Sequence, residues 1–282
     1  MLDARIADAE SRGVVRLNNL RWQHRWLREH LGHLRPDAIT QPALQRYREA
    51  RAHAPTALRR ELEELRATLR LHRLPYDHIG LPANRPPRDK WLTREDAGKL
   101  LAACGTPHLR LWCLIALITG RRKGAILDLT WDRAHLDLGT LDFDDPSRPL
   151  TKKRRGAVAI PDKLVAALRD ARGLAVSPYV IEYCGGRLKD IERGFSLAVK
   201  RAGLPGWVTP HVLKHTAISW LAETWPIDKI ADYTDTHPDT VRRIYRKVNG
   251  ERLREMGEDL ADGLFEAGRT KRNTPGGRRN VR

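Results

Sequence analysis

Three cysteines among 282 residues are too few, and odd in number, for a disulfide framework. Cys104, Cys113 and Cys184 form no C-x-x-C pair, so they read as reduced structural thiols in a cytoplasmic protein. Long apolar runs are also missing. The longest lies around Leu114–Thr119, far short of the ~20 residues of a membrane span. The opening MLDARIADAESRGVV lacks the apolar core of a signal peptide, and no internal repeat is visible. Acidic residues are in deficit: 35 Asp and Glu face 52 Lys and Arg, a formal charge of +17 and a pI near 10.3. A polyanion such as nucleic acid is the natural complement of that charge; the plain alternative is a basic soluble protein.

The chain is long enough for two domains with real cores. Residues 1–83 read as helices. Leu17, Leu20, Trp22, Trp26, Leu27 and Leu31 recur at helical spacing, with Gly32 as a stop. Thr40 caps a second helix with Pro42 in its first turn, and Leu44 and Tyr47 share one face. A third helix from about Thr56 carries the stripe Leu58, Leu62, Leu65 and Leu69. The stripe is bundle core. Arg59, Arg60, Arg66 and Arg70 beside it form either a solvated face or a DNA-contacting one.

Residues 84–90, rich in Pro and basic groups from Arg85 to Lys90, form a linker. A second domain over 91–267 opens with Thr93 as a helix cap. Leu109–Thr119 is a buried helix and Arg122–Leu129 a short one. Gly139–Phe143 alternates like a strand, Val158–Ile160 is a second β element, and Pro178–Tyr183 is a third. From Leu188 the chain is helical again, broken near Gly203–Trp207, Pro226 and Pro238. The fold class is mainly α, with a small antiparallel sheet in the second domain. Residues 268–282 form a basic tail without a core, expected to be disordered.

Cationic and nucleophilic residues are spread along the second domain in a fixed order. Thr119-Gly120-Arg121-Arg122 comes first, then the basic run Thr151-Lys152-Lys153-Arg154-Arg155. Thr209-Pro210-His211-Val212-Leu213-Lys214-His215 follows, and then Tyr245 within Thr240–Val248. Such residues belong together if the fold gathers them round one phosphodiester. A guanidinium offers a planar fork to two phosphate oxygens. Pro210 at the start of a helix capped by Thr209 puts His211 among unpaired backbone donors, with Lys214 one turn on. A zinc reading of His211 and His215 finds no third ligand, and no Glu follows His211. Tyr233 is the rival nucleophile.

On these motifs the chain resembles a tyrosine recombinase of the phage integrase family. The resemblance spans nearly the whole chain. It implies a helical core-binding domain that contacts DNA, then a catalytic domain that cuts one strand through a 3′-phosphotyrosine and rejoins it without metal or cofactor. It places Arg122 on the first catalytic arginine, His211 and Lys214 on the second box, and Tyr245 on the nucleophile. Lys153 falls on the hairpin lysine that protonates the leaving oxygen, with Lys152 as the alternative. It implies double-stranded DNA attachment sites as partner, a homotetramer on DNA, and an accessory DNA-bending or directionality protein. Leu253, Met256, Leu260 and Leu264 then form a helix that covers either its own core or a neighbouring subunit.

The sequence departs from the family pattern at three points. Ala125 stands where an acid usually supports the arginine, and Lys214 where arginine is usual. Asp235-Thr236 replaces the usual Gly-His pair, the His nine residues before the tyrosine, so either Thr236 or the next residue, His237, fills that place. The departures keep open a DNA-binding protein that has lost cleavage. A type IB topoisomerase, with the same chemistry, is the other alternative.

Overall fold

A computed structural model of the chain describes residues 1–14, 17–83, 90–146 and 156–248, the last four in backbone only. The chain divides into two compact units, Met1–Arg88 and Asp89–Arg282.

The first unit holds α1 (Leu2–Ser11), α2 (Leu17–Leu31), α3 (Gln41–Ala50) and α4 (Pro55–Leu71). Its core joins the expected stripe of α4 to Leu27 and Leu31 of α2, Leu44 and Tyr47 of α3, and Ile79. Helix α1 was not expected. Its apolar side is only Leu2, Ile6 and Ala9, and it forms because it packs on α2 and α4. Thr40 occupies the N-cap position but makes no side-chain cap bond.

A buried ion pair ties α3 to α4. Arg51 Nη2 and Nε donate to the two oxygens of Glu61 at 2.6 and 3.0 Å, and the Tyr47 hydroxyl donates to the second oxygen at 2.6 Å. The Arg51 guanidinium lies 4.0 Å from the Trp26 ring centroid. Buried charge is tolerated when its hydrogen-bonding capacity is filled this way. Burial and the bond to Glu61 hold the tyrosine hydroxyl well above its ordinary pKa. Part of the leucine-flanking arginine set also has local work, since Arg66 and Arg70 both sit 5.6 Å from the Tyr76 ring.

The second unit opens with α5 (Arg94–Ala102), capped as expected by Thr93, whose hydroxyl accepts from Asp96 N at 3.0 Å. Helix α6 (Pro107–Thr119) is the central element. Trp112, Cys113 and Ile115 are fully buried, and α6 packs against α5, α7 (Lys123–Leu127), α8 (Asp162–Gly173) and α10 (Pro210–Ala222). Cys104 and Cys184 join Cys113 as free thiols.

Three strands, β1 (Ala134–His135), β2 (Thr140–Asp142) and β3 (Ala157–Ala159), pair antiparallel in that order. Leu141 faces Val158 on the buried side, while their neighbours along each strand are more exposed. The third strand of this sheet is therefore Ala134–His135, not the expected Pro178–Tyr183. Within that segment only Glu182–Tyr183 (β4) is strand, and it pairs with β5 (Gly186–Arg187) in a separate hairpin. Cys184 and Gly185, with φ of 50 and 74°, turn the chain back within two residues. Helix α8 was not foreseen either. Pro161 closes β3 and, at φ −71°, starts the helix, which buries Leu164, Val165 and Leu168.

The rest is helical as expected: α9 (Glu192–Arg201), α10, α11 (Ile227–Thr234) and α12 (Pro238–Val248). Helices α10, α11 and α12 pack on one another around Ile218, Ile230 and Val241. No helix among the described residues is long and apolar enough to cross a membrane.

Candidate active site

Two helices, α6 and α11, end beside each other. Each is closed by a left-handed residue: Gly120 at φ 60° and Asp235 at φ 49°. The contact leaves no room at Gly120. A Cβ there would stand 2.9 Å from Thr234 Cγ2, so both the conformation and the close approach require glycine. Thr119 Oγ1 accepts from Arg121 N at 3.3 Å and steadies the corner. From it Arg122 emerges as the N-cap of α7, as the sequence suggests.

Lys214 stitches the two helix ends together. It lies on α10, 7% exposed, and its Nζ donates to Gly120 O and Thr234 O, both at 2.7 Å. A cation at the carbonyl ends of two helices is well placed electrostatically. Even so, burial, reinforced by the nearby Arg122 and Arg121 and opposed by Asp235, pushes the Lys214 ammonium down to about 7. Two of its three donors go to carbonyls, leaving a third for an anionic acceptor.

Asp235 is the residue that sequence reasoning missed. Its Oδ2 accepts from Arg122 Nη1 at 3.0 Å and lies 3.6 Å from Arg121 Nη1. Arg121 itself is buried, 3% exposed, and burial lowers its pKa while Asp235 opposes the shift. The absent acid at Ala125, a buried residue of α7, is thus matched by a carboxylate from a different helix end. The only sequence signal was an Asp in place of the glycine of the Gly-His pair. Asp is among the few residues that tolerate the left-handed conformation.

The predicted site residues are placed as follows. Arg122 and Lys214 meet at the Gly120 corner. His211 is exposed in the first turn of α10, behind Pro210, and Thr209 holds the N-cap position without a side-chain cap bond. His215 is half-buried, edge-on to Trp91 at 6.2 Å. Thr236 is buried, its Oγ1 2.9 Å from Thr234 Oγ1. His237 is exposed at the start of α12 and accepts from Asp239 N at 3.3 Å. Tyr245 lies on α12, which packs on α10 and α11; its side chain lies outside the described residues. So do Lys152, Lys153 and the rest of 147–155, the stripe from Leu253 to Leu264 and the basic tail. The rival Tyr233 is partly buried, and burial raises its pKa, the reverse of activation. No group of three or more His, Cys, Asp or Glu among the described residues could hold a metal ion.

A sequence model described as the phage integrase family matches residues 90–252, more than half of the chain. An integrase of Streptomyces ambofaciens is 25% identical over 248 residues, covering 76% of this chain and 63% of that protein. The virulence plasmid integrase pGP8-D of Chlamydia muridarum is 33% identical over 104 residues, 36% of this chain and 31% of its own. The chain thus spans less than two thirds of the length of either integrase. Among solved structures, the Tn1549 transposon integrase in complex with transposon right end DNA superposes with a TM-score of 0.77 at 15% identity. That match covers 92% of this chain and 98% of the other.

Proposed function

The chain belongs to the phage integrase family, and from that premise we propose that it is a site-specific recombinase that cuts and rejoins DNA through a 3′-phosphotyrosine. The observation that carries the reading is the corner of α6, α10 and α11, where Arg122 and Lys214 converge beside the first turn of α10 bearing His211. In this reading Tyr245, as the phenolate that the surrounding cations favour, attacks the scissile phosphorus and the bond to the 5′-oxygen breaks. Arg122 and His211 donate to the non-bridging oxygens, and the third donor of Lys214 joins them as negative charge grows. Lys153 gives the departing 5′-oxygen its proton. His237, the exposed member of the Thr236–His237 pair, takes the part of the second histidine, and Thr236 packs the corner.

The partner is double-stranded DNA at attachment sites of a phage or integrative element, held by a homotetramer with an accessory DNA-bending or directionality protein. The first unit serves as the core-binding domain and contributes phosphate contacts. One observation favours a second reading, a DNA-binding protein with impaired cleavage: Lys214 is committed to two backbone carbonyls where a guanidinium fork would reach further.

A nicked suicide duplex built from the repeats flanking the gene separates the readings. The recombinase reading expects a covalent protein–DNA adduct and joined recombinant product. Tight binding with no adduct supports the impaired reading. Plasmid relaxation without recombination supports a type IB topoisomerase.

A further inference from the structure

We infer that Asp235 is the positioning residue that holds the Arg122 guanidinium in its phosphate-gripping pose and ties it, through Arg121, to the base of the β2–β3 hairpin. The inference rests on the reading of this corner as a cleavage site.

The backbone comes first. Asp235 ends α11 in the left-handed region, at φ 49°, where non-glycine residues are uncommon. Backbone bonds from Asp235 N to Asp232 O at 3.3 Å and Thr236 N to Ala231 O at 2.9 Å hold that turn. The carboxylate is thereby aimed back across the end of α6. Its side chain is 16% exposed, so solvent screens it only partly.

One oxygen then serves two cations. Oδ2 accepts from Arg122 Nη1 at 3.0 Å and stands 3.6 Å from Arg121 Nη1. Helix α7, Lys-Gly-Ala-Ile-Leu, brings no carboxylate of its own to the arginine at its N-cap. Arg121 reaches the other way. Its Nη2 donates to Ala157 O of β3 at 3.4 Å, and its guanidinium lies 5.3 Å from the ring of Phe143, next after β2. Arg121 thus contacts β3 and the residue that follows β2, on either side of the basic run 151–155. Asp235 is the point where the arginine corner and the hairpin base share a partner.

This arrangement predicts a separation of rate from affinity. An arginine loosened from its carboxylate still attracts phosphate, but no longer sits where charge develops. Losing the negative charge beside the phosphate strengthens attraction, if anything. The test is single-turnover cleavage of the nicked duplex by D235N and D235G, with Kd and Tm measured alongside. Asn keeps the shape and tolerates the left-handed turn; Gly removes the side chain and relieves the turn.

The expected result for both is a rate constant at saturating DNA lower by roughly 10- to 100-fold, with Kd unchanged or tighter. Parental rates in both variants would overturn the inference. So would rate and affinity falling together, which marks a general structural role. A parental chain that forms no adduct in the same assay removes the recombinase reading itself, and this inference with it.

Discussion

Lys214→Met separates what the buried lysine does for the fold from what it does for cleavage. Methionine keeps the length of the side chain but removes the charge and both hydrogen bonds to Gly120 O and Thr234 O. Gly120 O left unpaired costs about 1–3 kcal/mol, and Thr234 O, which still accepts from Thr236 Oγ1 at 3.2 Å, loses a bond worth about 1 kcal/mol. Against that, the ammonium falls from 10.5 to about 7 on folding, which penalises the folded state at pH 7 by about 4 kcal/mol. The two effects nearly offset each other, so the variant should be within about 2 kcal/mol of the parental stability at pH 7.

The sign of the pH dependence follows. The folded pKa lies below the unfolded one, so between about 7 and 10.5 the unfolded chain binds the extra proton. Parental stability therefore rises with pH across that window. By pH 9 the penalty has shrunk to about 2 kcal/mol, and the parental chain has gained about 2 kcal/mol on the methionine variant. Urea denaturation of both proteins at pH 7 and pH 9 measures the gap. If Lys214 acts as proposed, cleavage by the variant should fall roughly 100-fold or more, because the cation assigned to the reacting phosphate is gone. A stability gap that does not change between the two pH values would refute the buried-ammonium account. A methionine variant that cuts at the parental rate would leave Lys214 a tether and nothing more.

Lys214→Arg keeps a cation that does not titrate in this range. At subsaturating DNA, where the rate reports the free protein, parental cleavage should decline as pH rises above about 7 relative to the arginine variant; parallel pH profiles would contradict this. Gly120→Ala places a Cβ 2.9 Å from Thr234 Cγ2 at a φ of 60°, and should destabilise by about 1–3 kcal/mol in thermal denaturation. An unchanged Tm would show that the corner yields.

The helical architecture was legible where apolar residues repeat: the α4 leucines, the nearly continuous apolar run of α6, and the helices bounded by Gly203, Pro226 and Pro238. Helix α1 was not, because its few apolar residues gain their meaning from α2 and α4. Strand β1 has only two residues, too short for any alternation to show. The arginine corner was legible as Thr-Gly-Arg-Arg, since glycine followed by a cation at a helix start is a local signal. What Lys214 and Asp235 touch was not. Those partners stand 94 residues away at Gly120 and 113 away at Arg122, and no local pattern encodes a contact between two helix ends. For the same reason the missing acid at Ala125 read as a deficit, when the fold supplies a carboxylate from α11.

The role proposed for Tyr245, the covalent bond to DNA, rests on one hydroxyl. Parental protein and Tyr245→Phe, which lacks only the hydroxyl, are each incubated with the nicked suicide duplex, and adducts are resolved on denaturing gels before and after protease. A protease-sensitive adduct is expected for the parental chain, none for the phenylalanine variant, and nearly equal DNA affinity for both. An adduct of the same yield from Tyr245→Phe would contradict that role.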